Sequence, residues 1–159
     1  MGTKVYIETS VVSYYTARPS RDVVMVGHQQ ATQDFWARLG SDFEPFVSVL
    51  VMDESGEGNP EEAEKRLQAI RSFRAIRITP EAENLAQQII AGKGVPAEYP
   101  EDALHIALAA MGGIDFLVTW NFAHINNPFT RMMIRQIVEN EGYVCPEIVS
   151  PDELLGDEL

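Results

Sequence analysis

Short apolar runs alternate along the chain with longer stretches in which apolar residues recur three and four positions apart. The short runs have the character of buried strands, and the longer stretches have the period of helices. The predicted strands are residues 4–8, 46–51, 75–78, 114–119 and 147–149. Strands that alternate with helices in this way predict parallel pairing, with helices on both faces of the sheet.

Capping residues, prolines and glycines mark the limits of the predicted helices. Thr79 and Pro80 suit the cap and first position of one helix, and Thr9-Ser10 suits the cap of the helix after the first strand. Other helices are predicted at residues 20–39, 60–73 and 128–140, and one follows Pro100. The order is then βααβαβαβαβ. It predicts a single three-layer α/β/α domain over residues 1–159, with a central parallel sheet of four or five strands.

Composition narrows the classes of protein that this domain resembles. The lone Cys145 excludes an intrachain disulfide and a cysteine-rich zinc site, which favours the cytoplasm. The opening MGTKVYIETS lacks the apolar core of a signal peptide, and no apolar run is long enough to cross a membrane. The sequence therefore predicts a protein that acts away from the membrane.

The net charge of -12 counts against nucleic-acid binding, because lysine and arginine supply most of the affinity for phosphate. Acidic residues that bind cations can reverse this local field. The basic residues are also concentrated within thirteen positions, at Lys65, Arg66, Arg71, Arg74 and Arg77. They either contact RNA or an acidic partner, or pair with neighbouring glutamates at helical spacing.

Acidic and amide side chains follow the predicted strands. Glu8 ends the first strand, Asp53 and Glu54 follow the second, and Asn121 follows the fourth. Asp102 lies in the first turn of a helix that starts beside the sheet. Clustered carboxylates repel one another unless a divalent cation neutralises them, and oxygen ligands favour Mg²⁺ or Mn²⁺ over Zn²⁺. We therefore expect a metal site at the carboxyl edge of the sheet, to which the second strand contributes either Asp53 or Glu54.

Three ordered segments resemble the PIN-domain family. VYIETSVVSYY resembles the opening strand and its acidic end, and FVSVLVMDESGEGNPEEAEKRL resembles the second acidic segment. EDALHIALAAMGGIDFLVTWNFAHINN is the most specific match, at residues 102–127. The resemblance runs from about residue 4 onward.

The resemblance implies an Mg²⁺- or Mn²⁺-dependent endoribonuclease that hydrolyses RNA phosphodiester bonds. It implies Glu8, Glu54, Asp102 and Asn121 as catalytic residues, and the first three as metal ligands. Many PIN proteins are VapC-like toxins of toxin–antitoxin pairs, so an antitoxin protein and a homodimer are the implied partners. The chain departs from the family pattern in carrying Glu8 and Asn121 where aspartate is usual or frequent.

Other interpretations follow from those two departures and from nearby residues. The chain could be a non-catalytic PIN-like module that binds nucleic acid or protein. A phosphotransfer enzyme of doubly wound type is disfavoured, because no lysine follows Lys93 and no glycine-rich phosphate loop occurs. His105, three residues after Asp102 on the same helical face, and His124 are further candidates for contact with a phosphate.

Overall fold

The computed structural model describes residues 2–156, in which the chain forms five β-strands, seven α-helices and one 3₁₀ helix. The strands are β1 (Thr3–Ile7), β2 (Phe43–Ser48), β3 (Arg74–Ile76), β4 (Phe116–Val118) and β5 (Glu147–Val149). The helices are α1 (Thr9–Thr16), α2 (Val23–Trp36), α3 (Val49–Ser55), α4 (Pro60–Ile70), α5 (Pro80–Ala91), α6 (Pro100–Met111) and α7 (Pro128–Asn140), and the 3₁₀ helix is Pro151–Leu154.

The strands form one all-parallel sheet in the order β3-β2-β1-β4-β5. The first strand therefore lies in the middle, where Val5, Tyr6 and Ile7 are fully buried. A strand covered on both faces has a continuous apolar sequence rather than an alternating one, which is the pattern of VYI. The predicted parallel sheet is confirmed.

The helices fall into two sets that form the outer layers of a three-layer α/β/α fold. Helix α1 contacts α2, α3 and α4, whereas α5 contacts both α6 and α7. Right-handed crossovers explain the division, because the chain moves from β1 to β3 in one direction and returns across the sheet to β4 and β5. The direction reverses between β1 and β4, and such a reversal opens a crevice at the carboxyl ends of these two strands.

The strand predicted at residues 46–51 is wrong in its second half. β2 ends at Ser48, and α3 begins at Val49. The Ser48 hydroxyl accepts the N–H of Val51 at 3.1 Å and so caps the helix. A short apolar run has the same sequence character in a buried strand and in a buried helix, so FVSVLV did not show the change. The observed order is βααβααβααβαβ, close to the predicted βααβαβαβαβ. Helix α3 is the element that was not predicted, since the helix at Pro80 and the helix after Pro100 were both expected.

Helix boundaries are confirmed in some places and corrected in others. Thr79 caps α5 by accepting the N–H of Ala82, and α7 covers the predicted 128–140. The helices predicted at 20–39 and 60–73 are shorter, at Val23–Trp36 and Pro60–Ile70. The predicted cap at Thr9-Ser10 is wrong, because Glu8 holds the N-cap position and both hydroxyl residues lie in the first turn of α1. That shift frees the two hydroxyls for other partners.

Within residues 2–156, no helix combines the length and the apolar character that a membrane span requires.

Candidate metal centre

Glu8 lies at the crevice between β1 and β4 and is 5% exposed. Its Oε1 atom accepts hydrogen bonds from the hydroxyls of Ser10 at 2.5 Å and Thr119 at 2.6 Å. Those hydroxyls in turn accept the backbone N–H groups of Trp120 and Asn121, each at 2.9 Å. A buried carboxylate needs such donors. The ends of β1 and β4 therefore hold this carboxylate in one orientation.

Glu54 reaches the same crevice from α3. Its Oε1 accepts from the hydroxyl of Thr9 at 2.5 Å and lies 2.7 Å from Nε2 of His105. The Glu54 side chain is 25% exposed, so it is the cluster's link to solvent. Asp53 is exposed and does not belong to the cluster in the described structure. Of the two acids that the sequence left open, Glu54 is the one that lies in the cluster.

His105 is 1% exposed and joins the cluster to the core. Its Nδ1 atom lies 2.7 Å from the hydroxyl of Tyr6, which is also 2.7 Å from Oγ of Ser48. A buried imidazole is oriented by the group that its second nitrogen contacts. Tyr6 and Ser48, on the two neighbouring strands, thus fix the ring so that Nε2 faces the carboxylates.

Charge and burial act against each other in this cluster. Burial lowers the pKa of His105, but the hydrogen bond to Glu54 and the charges of Glu8, Glu54 and Asp102 outweigh it and raise that pKa. Burial also raises the pKa of Glu54, but the hydrogen bonds from His105 and Thr9 outweigh it and lower that pKa. Burial raises the pKa of Tyr6 well above its ordinary value, so the phenol stays neutral. Glu54 is therefore ionised at neutral pH and accepts a hydrogen bond from Nε2–H of His105.

The donor atoms of this cluster fit a divalent cation. Glu8, Glu54 and His105 each offer a ligand atom, and the three atoms lie within 4.8 Å of one another. Oε2 of Glu8 is 4.0 Å from Nε2 of His105. Carboxylates suit Mg²⁺ and Mn²⁺, whereas imidazole also suits Zn²⁺ and Fe²⁺. The nitrogen donor therefore weakens the argument that oxygen ligands favour Mg²⁺ or Mn²⁺ over Zn²⁺. A cation bound here would replace the proton on Nε2.

The other two predicted site residues surround His124 instead. Asp102 lies in the first turn of α6, as predicted, and its Oδ2 is 3.0 Å from Nδ1 of His124. Asn121 accepts the backbone N–H of His124 at 3.0 Å and shapes the turn after β4. The ring of Tyr99 stacks on His124 with centroids 3.9 Å apart. The four predicted catalytic residues thus divide into one pair in the cluster and one pair beside it.

His105 is the member of the cluster that the sequence argument did not assign as a ligand. Its spacing from Asp102 was the available signal, since residues three apart share a helical face. The spacing could not show that Tyr6 lies behind the ring, because these residues are 99 positions apart in the chain. Tyr6 and His105 are both buried, and their contact orients the His105 ring toward the two carboxylates.

The basic stretch serves partly to hold the local structure. Lys65 lies 3.7 Å from Glu62, at the helical spacing that would pair them. Arg66 donates to the backbone carbonyls of Ser55 and Glu57, at 2.9 and 2.6 Å, and so ties α4 to the end of α3. The remaining arginines of the stretch are exposed, namely Arg71, Arg74 and Arg77. Contact with RNA or an acidic partner stays a prediction for these three.

The geometry is a pair of carboxylates and an imidazole at the reversal point of a parallel α/β sheet. The sequence matches no protein-family model and has no significant match among curated proteins.

Proposed function

We propose that this protein is a divalent-metal-dependent ribonuclease of the PIN type. The observation that carries the proposal is the cluster of Glu8, Glu54 and His105 at the carboxyl ends of the central strands. Ligands in open α/β sheets bind at this kind of position. The choice of RNA as substrate rests on the resemblance of residues 102–127 to the most specific PIN segment.

The residues of the chain hold and orient the reacting groups. A divalent cation bound by Glu8, Glu54 and His105 would neutralise the carboxylates, polarise a phosphoryl oxygen and make a water more acidic. The hydroxyls of Ser10 and Thr119 hold the Glu8 carboxylate in one orientation. Both hydrogen bonds recorded for Glu54 within residues 2–156 fall on Oε1, which leaves Oε2 to orient an attacking water. With Oε2 free, Glu54 is the residue placed to accept a proton from that water.

The second candidate function is a non-catalytic PIN-like module that binds nucleic acid or protein. One observation favours it. Glu54 is already bonded to His105 and Thr9, and Glu8 is already bonded to two hydroxyls. A protonated His105 balances part of the negative charge without any metal. In this alternative the cluster stabilises the fold, and RNA is held without being cut.

Thermal unfolding with and without metal separates the two candidates. At a hundredfold excess over its dissociation constant, a ligand that binds only the folded state adds roughly 2.7 kcal/mol to the free energy of unfolding. The parent protein should show such a shift with Mn²⁺ or Mg²⁺, and Zn²⁺ belongs in the same titration because of His105.

Glu54→Gln and Asp53→Asn form a matched pair for this test. Each removes one negative charge from adjacent positions of α3, but only Glu54 faces the cluster. Glu54→Gln should lose the metal-dependent shift and the cleavage of a single-stranded RNA, while Asp53→Asn keeps both. Absence of any metal shift in the parent would contradict the ribonuclease. A shift without cleavage would favour the non-catalytic module.

Partners and location are part of the same proposal. Exposed apolar side chains lie on α2 and α7, at Val23, Val24, Phe129 and Met132, and they suit contact with an antitoxin or with a second copy of the chain. Light scattering of the isolated protein measures the second possibility directly. Cys145 is a free thiol, which favours a reducing compartment such as the cytoplasm.

A further inference from the structure

A cavity of about 560 Å³ lies beside the metal centre, between the end of α5 and the segment that leads into α7. Ligand pockets commonly have volumes of roughly 300–1,000 Å³. Its walls are mainly apolar, with a few polar groups, and they include Ile90, Val95, Pro96, Lys93, His124 and Thr130. Mixed walls of this kind suit a flat, largely apolar group that carries a charge.

Lys93 occupies a backbone position that normally belongs to glycine. Its N–H bonds to the carbonyl of Ile90, and the N–H of Gly94 bonds to the carbonyl of Ile89, which is the Schellman ending of a helix. Lys93 has φ of 64° and is the one non-glycine residue with positive φ in the described part of the chain. A non-glycine residue in this conformation costs free energy, and such residues cluster at active sites and ligand-binding sites. We therefore expect the Lys93 side chain to bind a ligand in the cavity that it lines.

The charge of Lys93 is free to bind an anion. Lys65 lies near Glu62, and Lys4 lies over the ring of Phe46, 5.7 Å from its centroid. Among residues 2–156, Lys93 makes no salt bridge, although the whole chain carries a net charge of -12. An unpaired cation at the rim of an apolar cavity in an acidic protein points to a phosphate or carboxylate ligand.

His124 supplies a fixed ring at the same cavity. Asp102 holds its Nδ1 atom, Asn121 holds its backbone N–H, and Tyr99 stacks on its face at an interplanar angle of 24°. Groups that are oriented before a ligand arrives bind it with a smaller loss of entropy. An imidazole beside apolar walls can both contact the face of a nucleobase and hydrogen-bond to its edge.

We propose that this cavity binds one nucleotide of the RNA, with the phosphate at Lys93 and the base between Pro96 and His124. The inference rests on the proposed ribonuclease for its connection to RNA. It places the nucleotide close to the scissile bond, because Asp102, which holds His124, lies one helical turn from His105 of the metal centre. The cavity would then decide which base is accepted next to the cut.

Calorimetric titration with the four ribonucleoside 5′-monophosphates tests the proposal. The titrations are done in EDTA, with ribose 5-phosphate and inorganic phosphate as comparison ligands, so that the metal centre plays no part. At least one nucleotide should bind more tightly than ribose 5-phosphate. Equal binding of nucleotide and ribose 5-phosphate would overturn the base site, and absence of nucleotide binding would overturn the whole inference.

Substitution of Lys93 separates its charge from its backbone role. Lys93→Asn removes the charge but tolerates the left-handed conformation, so nucleotide affinity should fall roughly tenfold or more without unfolding. Lys65→Asn removes the same charge far from the cavity and should leave the affinity unchanged. Lys93→Gly should bind as weakly as Lys93→Asn, yet melt at an equal or higher temperature than the parent. Unchanged affinity in both Lys93 variants would overturn the role of this residue and the inference with it.

The metal titration distinguishes this failure from failure of the ribonuclease. RNA cleavage with a metal-dependent shift but no nucleotide binding would overturn the cavity alone. Nucleotide binding that depends on Lys93, in a protein without a metal shift, would overturn the ribonuclease and leave the nucleotide site supported.

Discussion

Removal of the hydroxyl of Tyr6 is the sharpest test of how the centre is held. Tyr6→Phe keeps the fully buried ring, so it opens no large cavity. It deletes one oxygen that contacts both Nδ1 of His105 and Oγ of Ser48, each at 2.7 Å. Ser48 still accepts the N–H of Val51, whereas Nδ1 of His105 has no other hydrogen-bond partner among the described residues.

The size of the effect follows from that unpaired nitrogen. A buried polar group that loses its partner costs about 1–3 kcal/mol of unfolding free energy. In a domain of this size, each kcal/mol lowers the melting temperature by about 2–4 °C, so Tyr6→Phe should melt roughly 2–12 °C below the parent. Metal binding should also weaken, because His105 loses the contact that orients Nε2.

Tyr15→Phe is the matched control. Its ring stacks on Trp36 with centroids 3.9 Å apart, and within residues 2–156 its hydroxyl makes no side-chain hydrogen bond. Loss of that hydroxyl should change the unfolding free energy by less than about 0.5 kcal/mol. Urea unfolding of the three proteins measures both differences. Equal stability of Tyr6→Phe and the parent would refute the idea that the Ser48–Tyr6–His105 chain supports the centre.

Two further predictions concern the charges. Asp102→Asn should release His124 and so weaken nucleotide binding. It should reduce the Mn²⁺-dependent rise in melting temperature less than Glu54→Gln does. An equal reduction in both variants would show that Asp102 is a metal ligand. The metal-free protein should also respond to pH. The pKa of Glu54 is lowered in the folded protein, so its contribution to stability is present above the ordinary glutamate pKa of about 4.3 and is lost as the pH falls. The pKa of His105 is raised, so its contribution is present below the ordinary histidine pKa of about 6.5 and is lost as the pH rises. The pair therefore contributes fully between those values. His105→Gln should flatten the decline on the alkaline side in urea unfolding, and an unchanged profile would show that the pair is not coupled to folding.

Much of the fold could be predicted from the sequence because its signals are local. The apolar run of β1, the Thr79 cap of α5 and the glycines after α6 each act over a few residues. The boundary between β2 and α3 could not be predicted. It depends on the Ser48 hydroxyl, which could equally have bonded elsewhere, and on burial that both kinds of element share.

The site was predictable only as far as topology determines it. Parallel strands bring their carboxyl ends to one edge, and this rule located Glu8 and the acidic segment of Glu54. It could not show that His105 fills the third place or that Asp102 turns to His124. Both outcomes depend on contacts between residues far apart in the chain, and no short-range pattern records them.

The central position of β1 has a consequence for how the protein is made. β1 leaves the ribosome before the other strands and gains β2 early, but its other edge waits for β4, whose partner residues run from Phe116 to Val118. At roughly 5–20 residues per second, the 68 residues from Val49 to Phe116 take about 3–14 s to synthesise. During that interval the central strand of the sheet presents an open edge, which is a template for wrong pairing. Thr119 emerges only after β4, so the nascent chain holds Glu8 without its full set of donors. Any activity that depends on this centre is therefore absent until most of the chain has been translated.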